Sequence, residues 1–293
     1  MAVKIMNIFP KIAVLMASYN GELWIQQQVE SITNQVEVNV DIYISIDKST
    51  DQTLHIIKIL QNKYPNLILL NYGSIFGSAK INFYRLIEEV DFSLYEYISL
   101  ADQDDIWLPE KLSHAIKKLK LENCDAYSSD VIAVWENGRS KIIRKSYPQK
   151  KFDYIFESAG PGSTYLFKKY IIDELKNIIL KEKNVLVVEH DWFIYAYCRS
   201  EGYKWFIDQN SLIYYRQHLN NLYGANITIK SYIQRLIMLR NGWYFNQVST
   251  ISRILNYKIP TRLFIIKNFL QLRRSKRDAF ILLILNIFLW LKI

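Results

Sequence analysis

The sequence predicts an α/β fold built on a doubly wound, mostly parallel sheet with flanking helices, and three observations carry that reading. Short apolar runs alternate with stretches of helical periodicity about a dozen residues long, the pattern of right-handed βαβ units. Acidic and small polar residues follow the apolar runs on their C-terminal side, where open parallel sheets gather ligands. Half of the 293 residues are hydrophobic (50%), enough to cover both faces of such a sheet.

Residues 12–16 are an apolar run between Pro10 and the polar Ser18-Tyr19-Asn20-Gly21, the mark of a buried first strand. Residues 22–33 follow with Leu23, Ile25, Val29 and Ile32 at helical spacing. A second strand over 38–46 ends at Asp47. The next helix, 51–62, carries Leu54, Ile57 and Leu60 on one face, with Thr50 or Asp51 as its cap. A third strand spans 67–71, and a third helix, 79–90, is led in by Gly73 and Gly77. A fourth strand, 95–101, runs into three carboxylates and then a helix over 108–121. The second half is less regular. Strands over 126–135 and 140–147 flank an Asn137-Gly138 turn. A tight loop at 160–164 precedes a strand at 165–168. Helices at 170–181 and 190–201 precede strands at 204–208 and 212–215. From Ile227 onward the periodicity is helical.

The net charge of +9 is unevenly spread. Residues 1–226 hold 25 Lys and Arg against 27 Asp and Glu, whereas residues 227–293 hold 12 against one acid, Asp278. That divides the chain into a near-neutral globular body, 1–226, and a basic, apolar helical tail, 227–293, aimed at an anionic surface. Cys124 and Cys198 stand singly, without the spacing of a zinc site or a disulfide framework, and fit a reducing cytoplasm. Lys4, Pro10 and Lys11 interrupt the apolar N-terminus, and no signal peptide is expected. No Gly-x-x-x-x-Gly-Lys-Ser/Thr run supports a P-loop nucleotidase.

The most informative stretch is Ile98-Ser-Leu-Ala-Asp-Gln-Asp-Asp-Ile-Trp107. A strand-like run ends in Asp102, Asp104 and Asp105, and carboxylates this close raise one another's pKa unless a cation neutralises them. Hard oxygen ligands suit Mg²⁺ or Mn²⁺, which also bind substrate phosphates. The plain alternative is an Asp-rich turn capping the helix near Pro109.

Context decides between them. Ala17-Ser-Tyr-Asn-Gly21 after the first strand, Asp47 after the second, Asp102-Gln-Asp-Asp105 after the fourth, and Glu189-His-Asp-Trp192 opening a later helix together resemble family 2 glycosyltransferases. No single motif is specific, but four in this order and strand context are, and the resemblance covers roughly residues 11–226. It implies a GT-A fold and an inverting, metal-dependent enzyme using nucleotide-diphosphate sugars, with Mn²⁺ or Mg²⁺ as cofactor. Tyr215-Arg-Gln-His-Leu-Asn-Asn221 resembles the segment closing the site in the bacterial rhamnosyltransferase-like branch.

By that resemblance Asp191 is the general base. It stands in the first turn of a helix, where the dipole favours an ionised carboxylate, although acids are common there for stability alone. Asp104 is the direct metal ligand, and His218 contacts metal or diphosphate. Ala17, Ser18, Tyr19 and Asn20 line the base and ribose, which a polar turn would also explain. Asp47 accepts from a pyrimidine N–H. Asp102 binds ribose or a metal-bound water, and Arg216 pairs with phosphate oxygens. Asn82 matches a position near the nucleotide, or is simply a solvated helix residue. Gly162, Glu189 and Asp105 fall on the acceptor side. Trp107 reads as a core anchor. The chain departs from the family where Lys48 replaces the usual second acid and the glycine before Ser49-Thr50 is missing. A Gln-x-x-Arg-Trp signature of processive members is absent, which favours addition of one sugar. The expected donor is dTDP-rhamnose or a UDP-hexose, and the acceptor a glycan or lipid-linked sugar.

In the tail, Arg273-Arg-Ser-Lys-Arg277 separates apolar runs, and residues 279–291 are broken only by Asn286. That run is shorter than the ~20 residues a crossing helix needs. The tail is expected to lie in the headgroup layer of the inner membrane leaflet, which makes the protein peripheral; the alternative is a helix packed on the body. A nucleic-acid-binding protein is disfavoured, since the basic charge sits beside membrane-like runs and no recognition motif occurs. A catalytically inactive nucleotide-sugar or glycan-binding module is the remaining alternative.

Overall fold

The structure, a computed structural model, describes residues 9–218 and 241–288. β1 (Lys11–Ser18) is central, pairing in parallel with β2 (Asn39–Ile46) and β4 (Tyr97–Asp102). Its pleat explains its composition. Ile12, Val14 and Met16 point to one buried cluster and Ala13, Leu15 and Ala17 to the other, so neither face is polar. β3 (Leu67–Leu69) adds in parallel to β2. On the other side of β4 lie β9 (Leu166–Lys168), then β6 (Ala126–Ser129) and β10 (Trp205–Asp208), giving seven strands in the order β10-β6-β9-β4-β1-β2-β3. β9 is antiparallel to both neighbours, and the remaining pairs are parallel, as expected for a mostly parallel sheet.

Helices α1 (Ile25–Thr33), α2 (Thr53–Lys63) and α4 (Lys111–Leu121) cover the first face through residues such as Val29, Ile57 and Ile116. α3 (Ala79–Glu89), α6 (Lys169–Lys181) and α7 (His190–Ser200) cover the second through Phe83, Ile172 and Phe193. α1 starts later than its periodicity suggests, because Trp24 and Ile25 N–H both bond to the Gly21 carbonyl and residues 22–24 form a turn. α2 also starts two residues later than expected, with Gln52 rather than Thr50 or Asp51 at its N-cap; Asp51 Oδ1 instead accepts from Thr53 N (3.0 Å) and its hydroxyl (2.6 Å) in the turn that leads into the helix.

The expected single strand over 126–135 is two strands in two sheets. Asp130 is buried, and its carboxylate accepts from Lys145 N, Ser146 N and the Ser146 hydroxyl, turning the chain out of the first sheet. β7 (Val131–Trp135) then joins a second sheet, β5-β11-β7-β8, with β5 (Ile106–Trp107), β8 (Ser140–Ile143) and β11 (Ile213–Gln217). Gly138 (φ 78°) makes the β7–β8 turn. β11 runs two residues beyond its expected end, so Arg216 lies within a strand rather than after it.

The tail is not a separate layer. α8 (Trp243–Ile254), α9 (Arg262–Asn268) and α10 (Lys276–Phe288) send Tyr244, Phe245, Val248, Ile251, Ile265 and Leu282 into the same cluster as α3 and α7. The run read as a headgroup-binding cluster is partly internal. Arg274 is 4% exposed and bonds to Asp153 Oδ2 (3.1 Å) and the Ser158 carbonyl (2.7 Å), while Arg273 bonds to the Phe156 carbonyl (2.7 Å). Residues 219–240, with the Leu219-Asn220-Asn221 end of the closing motif and Gly224, lie outside the described residues.

Asp153 on α5 (Asp153–Phe156) is fully buried between Arg199 (3.2 Å), Arg274 (3.1 Å) and the Tyr195 hydroxyl (2.8 Å). Asp153→Ala takes the carboxylate from the buried Arg274 and the partly buried Arg199 and should lower urea stability by roughly 3–5 kcal/mol. A loss below about 1 kcal/mol would mean that the tail is not anchored there.

Candidate active site

Three strand ends open at one edge of the first sheet. Ala17 stands opposite Asp102 in the β1–β4 register and Ser18 opposite Ile46 in β1–β2, so the loops after β1, β2 and β4 leave side by side. Toward β4, Gln103 Oε1 accepts from the Ser18 hydroxyl (2.7 Å) and Tyr19 N (2.9 Å), and its Nε2 donates to the Tyr19 carbonyl (2.8 Å). Toward β2, Asn20 takes a left-handed turn (φ 46°), which asparagine tolerates. Its N–H donates to Ser49 Oγ (3.0 Å), and its Oδ1 accepts from Thr50 N (2.9 Å). Tyr19 is exposed. Asp47 is buried and accepts from Lys48 N (2.8 Å), Phe76 N (2.9 Å) and Gly77 N (2.8 Å), drawing the segment before α3 over the strand ends. Asn82 is not a solvated helix residue. It is buried, with Nδ2 donating to the Ser45 carbonyl (2.9 Å) and Oδ1 without a hydrogen-bond partner among the described residues.

The carboxylate loop is held by its backbone. Gln28 Nε2 donates to the Asp102 carbonyl (3.0 Å) and Arg216 Nε to the Asp104 carbonyl (2.9 Å). Asp104 Oδ2 lies 2.8 Å from His218 Nε2, and that imidazole stacks on Trp24 with centroids 3.9 Å apart. Asp105 does not line the acceptor side. It is 1% exposed, neither oxygen has a hydrogen-bond partner among the described residues, and its charge acts on the buried Lys111. The Lys111 ammonium sits 3.3 Å from the Trp107 ring centroid, with Trp107 buried as a core anchor.

Asp191 lies across this cleft in the first turn of α7, its Oδ1 accepting from Trp192 N (2.7 Å). The short helical turn Gly162–Thr164 abuts it. A Cβ at Gly162 would stand 3.0 Å from His190 Nε2 and 3.4 Å from Asp191 Cβ, so glycine brings that loop against the carboxylate. Glu189 pairs with Lys80 at 3.5 Å. His190 stacks on Phe83 (4.0 Å), and burial depresses it to about 3, leaving a neutral spacer.

The electrostatics tie the two sides together. Burial, then the charges of Asp104 and Asp191, raise Asp102 to about 7. Burial, then Glu189, raise Asp191 to about 7, opposed by the hydrogen bond from Trp192 N–H and then by the charge of Lys145. Burial, followed by Asp102, Asp105, Asp104 and Asp191 in that order, pushes the Tyr215 phenol well above its usual range. One phenol therefore senses all four acids.

Among the described residues no three ligating side chains form a ready-made metal site. Asp104 and His218 offer an oxygen and a nitrogen at one point, and Asp104 acts electrostatically on both Asp102 and Asp105. That fits a divalent ion completing its shell with diphosphate oxygens and water. The structure thus gathers Ser18, Asp102, Asp104, Arg216, His218, Gly162 and Asp191 about one cleft, uses Asn20 and Asp47 to fold its rim, and buries Asn82 and Asp105. Sequence reasoning missed Gln103, Trp24, Lys80, Lys145 and Tyr215. Gln103, the amide inside an acidic motif, and Tyr215, the first residue of the closing motif, carried a signal.

Fold and cleft together describe a sugar-nucleotide transferase of the GT-A type. The chain belongs to glycosyl transferase family 2, whose profile matches residues 13–175. A dTDP-rhamnosyl transferase, RfbG of Shigella flexneri, is 43% identical over 289 residues, 93% of this chain and 100% of the relative. S. aureus TarS 1–349 in complex with UDP-GlcNAc superposes with a TM-score of 0.55 at 15% identity, covering 94% of this chain and 89% of that one. The mannosyltransferase PcManGT from Pyrobaculum calidifontis, with GDP-Man and Mn²⁺, gives 0.57 at 15% identity, covering 84% and 68%.

Because Asp191 rises from 3.8 to about 7 on folding, the native state holds a proton that the unfolded chain releases. This contribution is complete below the unfolded value and is lost as pH climbs through the folded one. The melting temperature of Asp191→Asn should therefore gain on wild type between about pH 4 and 8. A pH-independent difference would contradict the raised pKa.

Proposed function

We propose that this cleft transfers one rhamnosyl unit, with inversion, from dTDP-rhamnose to a glycan or lipid-linked acceptor in polysaccharide synthesis, using Mn²⁺ or Mg²⁺. The observation carrying the reaction class is that Tyr165 links the two sides, its carbonyl accepting from the Ser99 hydroxyl on β4 (2.7 Å) and its hydroxyl donating to the Asp191 carbonyl (3.2 Å), while Asp102 at the end of β4 feels the charge of both Asp104 and Asp191. The 43% identity to the Shigella enzyme supports dTDP-rhamnose over a UDP-hexose.

Ser18 and Tyr19 receive the base and ribose, with Asp102 beside the ribose. Asp47 keeps a lone pair on Oδ2 for the N–H of a pyrimidine. Asp104 and His218 would hold the cation, and Arg216 brings a guanidinium to the diphosphate. A divalent ion bound there offsets the charge that builds on the leaving diphosphate. Asp191 takes the proton from the acceptor hydroxyl as that oxygen bonds to the anomeric carbon. The bond from that carbon to the phosphate oxygen breaks, and its electron pair leaves with the diphosphate on the opposite face. Glu189, steadied by Lys80, orients the hydroxyl.

A base held near 7 must lose its proton first, so kcat/KM should rise with pH through an apparent pKa near 7. Asp191→Asn should cut turnover by roughly 10²–10⁴-fold while nucleotide affinity stays near wild type. Asp104→Ala should instead weaken Mn²⁺-dependent nucleotide binding. Wild-type turnover in Asp191→Asn would remove the base assignment.

The hairpin of α9 and α10 supports attachment to the inner face of the cell membrane. No helix among the described residues is long and apolar enough to cross a bilayer. Leu263, Leu270, Phe280 and Ile284 are nonetheless exposed, and Arg262, Lys267, Lys276 and Arg277 are exposed with them. Apolar side chains among cations suit an anionic headgroup layer. Truncation is a poor test, because Arg274 and Leu282 are internal. Leu270→Glu combined with Phe280→Glu should reduce flotation with phosphatidylglycerol vesicles by about tenfold without lowering the melting temperature. Undiminished flotation would leave the hairpin a packing element.

A further inference from the structure

We infer that Gln103 is a positioning residue, a latch that makes the β1 loop and the carboxylate loop one rigid donor-binding unit, and that position 21 is glycine to admit it. The inference rests on the reading of the cleft as the donor site. Oε1 accepts from the Ser18 hydroxyl (2.7 Å) and Tyr19 N (2.9 Å), and Nε2 donates to the Tyr19 carbonyl (2.8 Å). Among side chains of this size only a neutral amide can both accept and donate here, since a carboxylate cannot donate. A glutamate would also add a further charge to the acidic cleft.

Gly21 supplies the independent observation. Its backbone is not in the left-handed region, so its conformation does not demand glycine. A Cβ there would stand 2.8 Å from Gln103 Cδ and closer still to Oε1. The loop cannot back away, because Gly21 N donates to Thr53 Oγ1 (2.7 Å) at the start of α2. The glycine is therefore a steric accommodation of one side chain. Gln28 holds the Asp102 carbonyl and Arg216 the Asp104 carbonyl, so the latch sets the nucleotide half of the cleft against the diphosphate half. Its loss falls on donor binding and spares proton transfer at Asp191.

The test is a cycle of wild type, Gln103→Ala, Gly21→Ala and the double variant, with dTDP as the probe in the presence of Mn²⁺. Each single variant should raise the dTDP dissociation constant and the donor KM about tenfold, with kcat within about twofold. The double variant should bind no more weakly than Gln103→Ala, because the obstructing side chain is gone. Additive losses, or unchanged affinity in Gln103→Ala, overturn the latch. Should wild type fail to bind dTDP, the donor reading falls, and melting temperatures still decide the latch. Gly21→Ala then destabilises the wild-type background and is tolerated in Gln103→Ala; equal destabilisation in both overturns it.

Discussion

Four carboxylates gathered at the mouth of one sheet are the constraint that the surrounding structure answers. Asp102, Asp104, Asp105 and Asp191 all act on the Tyr215 phenol, and Asp102 and Asp191 are each pushed to about 7. Like charges this close repel unless a counter-charge arrives or protons stay bound. The nearest buried ammonium, Lys111, is itself held well below its usual range by burial and so is a weak counter-charge. The protein instead fixes the loop mechanically, through Gln28, Gln103 and Arg216 bonded to backbone groups. Holding the backbone in this way keeps the acids close in spite of their mutual repulsion.

The first half of the fold was legible because the central strands β1 and β4 are buried on both faces and each helix shows one apolar stripe. The even and odd residues of β1 feed two separate clusters, which forces the unbroken apolar run. The second half was harder because the chain changes sheets. Nothing in residues 126–135 marks Asp130 as a corner, since the donors that hold it come from Lys145 and Ser146. Ile106–Trp107, a two-residue strand, is too short to show a period.

The candidate site was legible as an ordered set of polar residues after strand ends, and Asp102, Asp104, Asp191 and His218 do converge. Burial was not legible. Asp105 and Asn82 carry the residue types of ligand-binding positions, yet packing encloses both. Arg273 and Arg274 looked like membrane-facing cations because their partners, Asp153 and Glu157, lie in a different part of the sequence. The role of Gln103 was not legible because its partners are hydroxyl and backbone groups on another loop.

The most direct measurement is titration calorimetry of dTDP against the purified protein, with Mn²⁺ and again with EDTA. The account predicts binding that depends on the ion and is lost with the metal, since the acids alone repel a diphosphate. Equal affinity in EDTA would contradict it.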